Sequence, residues 1–239
     1  MGLKKIIRMF DKGNVCVTGL RGDGKDMLMA NVVARRKKPY VSNVDYGGKR
    51  FDFVPSKLDC GGNIYKNFIE GDVKHYEFPY PDHTDVYVSD AGVYFPAQYC
   101  SELNRSYGYI ATFMALSRHL GQSNMHVNAQ NLNRVYDKIR EQSDMYIRCR
   151  CCFVFFGNVV IQKITTYDKY QSCVDRVPAF WLRRPLLNAN RLQLWQIQKQ
   201  NYEISHGCIK NHWLIYVNKS NYDTRRFKEM LKNGKKENH

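Results

Sequence analysis

The chain holds one stretch whose residue types and spacing suit phosphate chemistry: GLRGDGKDM, residues 19–27. A glycine, four residues, then glycine and lysine is the frame of a phosphate-binding loop. Glycines let the backbone curl so that its N–H groups converge on phosphate oxygens, and a following helix adds the partial positive charge of its first turn. Gly19, Leu20, Arg21, Gly22, Asp23, Gly24, Lys25, Asp26 and Met27 would line the phosphates, with Lys25 reaching the β- and γ-phosphates of a nucleotide. The frame alone arises by chance in roughly one chain in ten of this length, so its setting decides. It follows the apolar run NVCVTG and opens into KDMLMANVVARR, which is free of Gly and Pro; strand, loop and helix come in the order the mechanism needs.

The position after the lysine, ordinarily Ser or Thr, is Asp26. A carboxylate can ligate Mg²⁺ in place of the hydroxyl, or it can cap the positive end of the helix. A second acid that could hold Mg²⁺ through water ends the run TDVYVSD, at Asp90. The next residue, where many hydrolysing sites carry a glutamate that orients water, is Ala91. Asp23 or Glu102 are candidate substitutes for that base. Gln130 closes the run MHVNAQ, where a polar group could sense a γ-phosphate, and Arg118 and Arg140 could stabilise transferred charge in cis or from a neighbouring subunit. The residues thus predict binding of a nucleotide with Mg²⁺ more firmly than its hydrolysis.

These residues need elements to position them. Strands are expected at 14–19, 40–44, 84–90 and 125–130, and helices at 25–36, at 97–119 with a break near Gly108, and at 132–144. The last has Leu132, Val135, Tyr136 and Ile139 on one face. Strands with a turn at Gly157-Asn158 are expected over 145–167. The alternation implies an α/β fold with a mainly parallel sheet. A core over 1–168, an irregular or β-rich extension over 169–224 packed on it, and a basic tail over 225–239 complete the expected organisation.

A formal net charge of +15 points to a polyanionic partner, nucleic acid before an anionic membrane. Clusters at Arg35, Arg36, Lys37, Lys38 and at Arg225, Arg226, Lys228 are candidate phosphate contacts. The eight cysteines show no paired spacing and read as reduced, mostly buried thiols. The longest apolar run, CCFVFFGNVVI, is too short to span a bilayer as a helix.

Taken together, GLRGDGKDML, VSDAGVYFP, SRHLGQSNMHVNAQNLNRVYDKIREQSD and the late SNYDT resemble the zonula occludens toxin-like ATPases of phages. These are related to the morphogenesis ATPase of filamentous phages within the FtsK/HerA-type P-loop superfamily. The resemblance covers about residues 10–165, with a weaker echo to about 225. It implies a RecA-like P-loop NTPase core, ATP as fuel, a homo-oligomeric ring, and work on phage DNA in assembly, packaging or export in the cytoplasm of an infected bacterial host or at its inner membrane. Filamentous-phage members carry a membrane-crossing helix after the ATPase domain. Its absence here shifts the expectation towards a motor without an anchor, or one that uses a separate virion or membrane assembly partner. Two alternatives stay open: a nucleotide-binding scaffold impaired in hydrolysis, favoured by Asp26 and Ala91, and a basic viral DNA-binding protein with a coincidental loop.

Overall fold

A computed structural model describes residues 2–55, 80–97, 110, 113–115, 117, 123–156, 158–170, 173, 189–220 and 222. Eight strands form one sheet: β1 (Val15–Thr18), β2 (Tyr40–Ser42), β3 (Arg50–Asp52), β4 (Asp85–Val88), β5 (Met125–Ala129), β6 (Met145–Phe155), β7 (Val159–Tyr167) and β8 (Ile209–Val217). Their spatial order is β3-β2-β4-β5-β1-β6-β7-β8. From β3 to β6 every pairing is parallel, and β7 and β8 then add antiparallel. This is the mainly parallel, helix-flanked α/β sheet expected. β1, β2, β4 and β5 are buried along their whole length, as strands covered on both faces must be.

The helices are α1 (Leu3–Lys12), α2 (Lys25–Arg36), α3 (Ala91–Tyr94), α4 (Asp137–Glu141) and α5 (Ala189–His206). On one face α1 and α2 bury Ile6, Phe10, Leu28, Met29 and Val32 against Val17, Tyr87, Ile147 and Leu214. On the other, Ala91, Phe95, Leu132, Val135 and Ile139 pack with Val86, Val88, Val127 and Tyr146. Burying a Val-, Leu- or Phe-sized side chain contributes roughly 1.5–3 kcal/mol, so each face is an anchoring layer for the loops above it.

One expectation changes at the level of elements, and two further elements appear. The helix read over 132–144 is a single 3-10 turn at Leu132–Arg134, an extended Val135 and then α4. Val135 makes a β-bridge to Pro96, and Tyr136 N–H donates to the Phe95 carbonyl at 2.9 Å. Its four apolar residues are nevertheless all buried. Within 169–224, Ala189–His206 is helical, and Ile209–Val217 joins the sheet beside β7 along nine paired positions. The amino-terminal helix α1, unread in the sequence, packs on α2. The hairpin between β6 and β7 forms as expected, with Phe156 in left-handed backbone conformation at the turn; Gly157 lies outside the described residues.

Among the described residues no helix is long and apolar enough to cross a membrane. Cys16, Cys149 and Cys173 are buried thiols, and burial pushes the Cys16 thiol up to about 12.

Candidate functional site

The loop 19–24 joins the carboxyl end of β1 to the amino end of α2. Gly24, at the helix N-cap, is left-handed, with φ 77° and ψ 28°. A Cβ there would sit 2.7 Å from Cys152 Cβ and 2.8 Å from its Sγ, so strand β6 presses on the loop where only glycine fits. A Cβ on Gly19 would lie 2.6 Å from the Cys149 carbonyl oxygen. Gln162, fully buried in β7, donates from Nε2 to the carbonyls of Asp23 at 3.1 Å and Gly24 at 3.0 Å. It is held in turn by the Tyr216 hydroxyl, which donates to Gln162 Oε1 at 3.2 Å. The Asp23 and Gly24 carbonyls are thus held towards β7, while the Leu20 carbonyl accepts the Asp23 N–H at 3.2 Å. The loop already holds one carboxylate: Leu20 N–H donates to Asp23 Oδ2 at 2.7 Å. Lys25 is 6% exposed and its ammonium donates to the Leu20 carbonyl at 3.2 Å, across the loop's mouth.

Asp26 does more than cap a helix. Its Oδ1 accepts from Ser89 Oγ at 2.7 Å, Asn128 Nδ2 at 2.7 Å and the Tyr46 hydroxyl at 3.3 Å. Asn128, fully buried in β5, also accepts Asp90 N–H at 3.0 Å. One amide therefore links Asp26 to the backbone of Asp90. Asn43 fixes Ser89 from both sides, accepting its N–H at 2.8 Å and donating to its carbonyl at 2.9 Å. Burial, and then the neighbouring Asp26 charge, push the Tyr46 phenol well above its ordinary value, so it remains a hydroxyl donor. Three donors on one oxygen fix the carboxylate, and among the described residues nothing donates to Oδ2. That donor set fits Mg²⁺: Asp26 Oδ2 and the exposed Asp90 carboxylate are hard oxygens of the kind the ion takes.

Asp90 follows β4 in left-handed conformation, φ 51° and ψ 49°, and starts α3. It lines a cleft of about 250 Å³ with Gly92, Val93, Ala129, Gln130, Asn131 and Arg134. Gln130 is set beside the loop by its own backbone, since Thr18 Oγ1 donates to the Gln130 carbonyl at 3.3 Å. The strands carrying the loop, Gln130 and Asp90 are adjacent, in the order β1, β5, β4. Phosphate loop, Asp26, Asp90 and Gln130 are thus brought to one edge, at the carboxyl ends of parallel strands, where open α/β sheets place ligands.

Arg140 is elsewhere. It donates to the Tyr170 hydroxyl and stacks 4.7 Å above that ring, while its carbonyl accepts from Tyr146 near the start of β6. Arg118 and Glu102 lie outside the described residues. Ala91 is fully buried and supplies no acid. Of the basic run after α2, Arg36 is withdrawn from any partner by ion pairs to Asp85 and Asp11, and it donates to the Tyr87 hydroxyl at 2.6 Å. Arg35 donates to the Val217 carbonyl at 2.7 Å. Sequence reasoning missed Ser89, Asn128, Tyr46, Gln162 and Arg134. The signal for the polar ones was present: Asn128 and Gln162 interrupt apolar strands, and a polar side chain buried there must have a partner.

No family model matches the sequence, and no curated protein matches it. Among solved structures, the chain is similar to the N-terminal domain of zonular occludens toxin from Neisseria meningitidis, at 14% identity and TM-score 0.40, covering 66% of this chain and 84% of that one. It is also similar to B204, the DNA-packaging ATPase from Sulfolobus turreted icosahedral virus, at 13% identity and TM-score 0.41, covering 84% and 96% of the two chains.

Proposed function

We propose that this chain binds ATP with Mg²⁺ in the β1–α2 loop and hydrolyses it to move phage DNA during virion assembly, as one subunit of a ring. The observation that carries the nucleotide part is the single sheet edge on which the loop, Lys25, Asp26, Asp90 and Gln130 converge, with Asn128 tying Asp26 to Asp90. The DNA, phage and ring parts rest on the resemblance of residues 10–165 to zonula occludens toxin-like ATPases and on the +15 charge.

The loop N–H groups and Lys25 would hold the phosphates, and the Gln162 bonds brace the loop from β7. Asp26 Oδ2 and Asp90 would hold Mg²⁺, which neutralises phosphate charge when bound. Gln130 and Arg134 line the cleft beside Asp90 and would orient water and stabilise developing charge.

A second reading, a nucleotide-binding subunit impaired in hydrolysis, is favoured by one observation: Asp90 is the single acid lining that cleft among the described residues, and buried Ala91 stands where a base would be. Steady-state ATPase assays with and without single- and double-stranded DNA separate the readings. Turnover stimulated by DNA and reduced at least about a hundredfold in Lys25→Ala supports the motor. Mg²⁺-ATP binding without turnover selects the second reading. Turnover unchanged in Lys25→Ala refutes the site.

A further inference from the structure

At the opposite end of α2 from the phosphate loop, roughly 18 Å away at 1.5 Å per helical residue, lies a second cleft, of about 390 Å³. Lys37 and Lys38 reach it from the end of α2, Lys49 from the turn between β2 and β3, and Lys219 from the chain after β8. No carboxylate lines it among the described residues. Asp45, two residues before the lining Gly47, turns one carboxylate oxygen to the Gly47 N–H, at 2.8 Å.

The lysines are not loose surface charges at their backbones. Lys37 N–H caps α2 by donating to the Val33 carbonyl at 3.1 Å, and Lys37 has φ 56°, a left-handed position that glycine favours. The Lys49 carbonyl accepts Tyr40 N–H at 3.1 Å. Lys219 N–H donates to Oδ1 of Asn31, fully buried in α2, whose Nδ2 donates to Asn218 Oδ1 at 2.9 Å. Three separate segments are therefore fixed so that four exposed lysines line one concavity, the Lys49 ammonium lying 5.7 Å over the Phe51 ring. A cleft lined by one sign of charge focuses a positive potential, and the carboxyl end of α2 offsets only a fraction of a charge. An anion with several charges is drawn to such a cleft.

We propose that this cleft binds the phosphodiester backbone of nucleic acid. This deepens the functional reading by naming where DNA sits, and it rests on the DNA part of that reading. Recognition would be by charge, without base contacts. A membrane surface is the poorer fit. The site is concave, and its large apolar linings Val33 and Tyr46 are buried, leaving only the small, partly exposed Ala34 and Pro39 to meet a bilayer. The two phosphate sites would then lie at the two ends of one rigid helix, so that a shift of α2 with the nucleotide moves the DNA contact.

The test is fluorescence anisotropy of a labelled DNA duplex with the full chain, over a salt series. Substituting Lys37, Lys38, Lys49 and Lys219 together by Gln should weaken binding roughly tenfold or more and lower the salt slope by about 3 to 4. The charge-matched control, with Lys4, Lys5, Lys12 and Lys210 changed to Gln, should retain most of the affinity. Equal losses in the two variants, or no DNA binding by the wild type, overturn the proposal. So does loss of phosphatidylserine-vesicle binding in the cleft variant with DNA binding intact. Nucleotide binding is measured on the same proteins: the cleft variant should keep it, while Lys25→Ala should lose it and keep DNA. Failure of the ATP site and failure of the DNA cleft are thereby read separately.

Discussion

Two glycines in the phosphate loop have similar backbone angles and opposite surroundings, and this makes a sharp test of how the loop is held. Gly22 has φ 88° and nothing within 4 Å of where a Cβ would stand, whereas Gly24 has φ 77° and Cys152 atoms at 2.7 and 2.8 Å from that point. An alanine at either site meets the left-handed penalty of about 1–2 kcal/mol. At Gly24 it also overlaps Cys152, since carbon atoms ordinarily approach to about 3.5–4.0 Å, and overpacking of this kind costs about 1–3 kcal/mol. Gly24→Ala should therefore destabilise by roughly 2–5 kcal/mol and Gly22→Ala by roughly 1–2. In a chain of this size each kcal/mol lowers Tm by about 2–4 °C, so differential scanning calorimetry resolves the two. Adding Cys152→Gly to Gly24→Ala removes the Cys152 overlap and leaves the backbone penalty with the tight approach of Gln162 Nε2 at 3.0 Å, so the pair should couple by about 1–3 kcal/mol despite the cost of a strand glycine. Equal Tm losses in the two single variants, or a coupling under about 0.5 kcal/mol, would refute the claim that β6 shapes the loop.

Asp26→Asn keeps an oxygen for Ser89 and Asn128 but removes the charge. Mg²⁺-ATP affinity should fall about ten- to thirtyfold, about 1.4–2 kcal/mol, while ATP in EDTA binds no worse than to the wild type; isothermal titration in both buffers checks this, and equal losses in both contradict a metal role. Acid stability should show two losses. Burial pushes His126 below its ordinary value, and it stays neutral between the rings of Phe10 and Tyr87, at 4.8 Å from each. Burial alone would raise Asp85, but the paired Arg36 guanidinium and the Asn124 N–H hold it below the usual carboxylate range. Unfolded His126 takes up a proton near pH 6.5 that the fold excludes, so stability declines from about pH 6.5 downward. Asp85 adds a further loss below its ordinary value of 3.8, as falling pH passes through its lowered folded value. His126→Phe should flatten the upper limb of a Tm–pH curve and leave the lower one; an unchanged upper limb contradicts the assignment.

How far the sequence disclosed this protein depends on which force decided each element. The loop and the ends of β4 and β5 were legible because short apolar runs with a glycine or an acid at their end admit few alternatives. The helix read over 132–144 failed for a physical reason. Leu132, Val135, Tyr136 and Ile139 have helical spacing, but burial satisfies that pattern equally when Val135 is extended and bonded to Pro96. Periodicity reports which side chains are inside, not which backbone carries them there. β8 was hidden for the converse reason: Lys210, Asn211 and His212 break its alternation, and pairing with β7, 42 to 58 residues away in sequence, places it in the sheet.

The basic run 35–38 carries the same lesson for the site. By composition its four residues are equivalent, yet the fold divides them. Arg36 is 5% exposed at its side chain and neutralises Asp85 and Asp11, Arg35 is spent on the Val217 carbonyl, and Lys37 and Lys38 are turned out to meet Lys49 and Lys219. A buried arginine that lost Asp85 would leave an uncompensated charge, at about 3–5 kcal/mol, so Arg36 belongs to stability, whatever its neighbours bind. Asp26 shows the opposite case. A residue that looked like a defect in the phosphate loop is the best-connected acid in the site, bonded to β4, β5 and the β2–β3 segment at once. A serine hydroxyl in its place could not accept all three donors and still offer an oxygen to a metal. Asp26 is therefore the carboxylate around which Ser89, Asn128 and Tyr46 are arranged, and under the proposed function the departure in the loop and the polar residues in the strands are one adaptation.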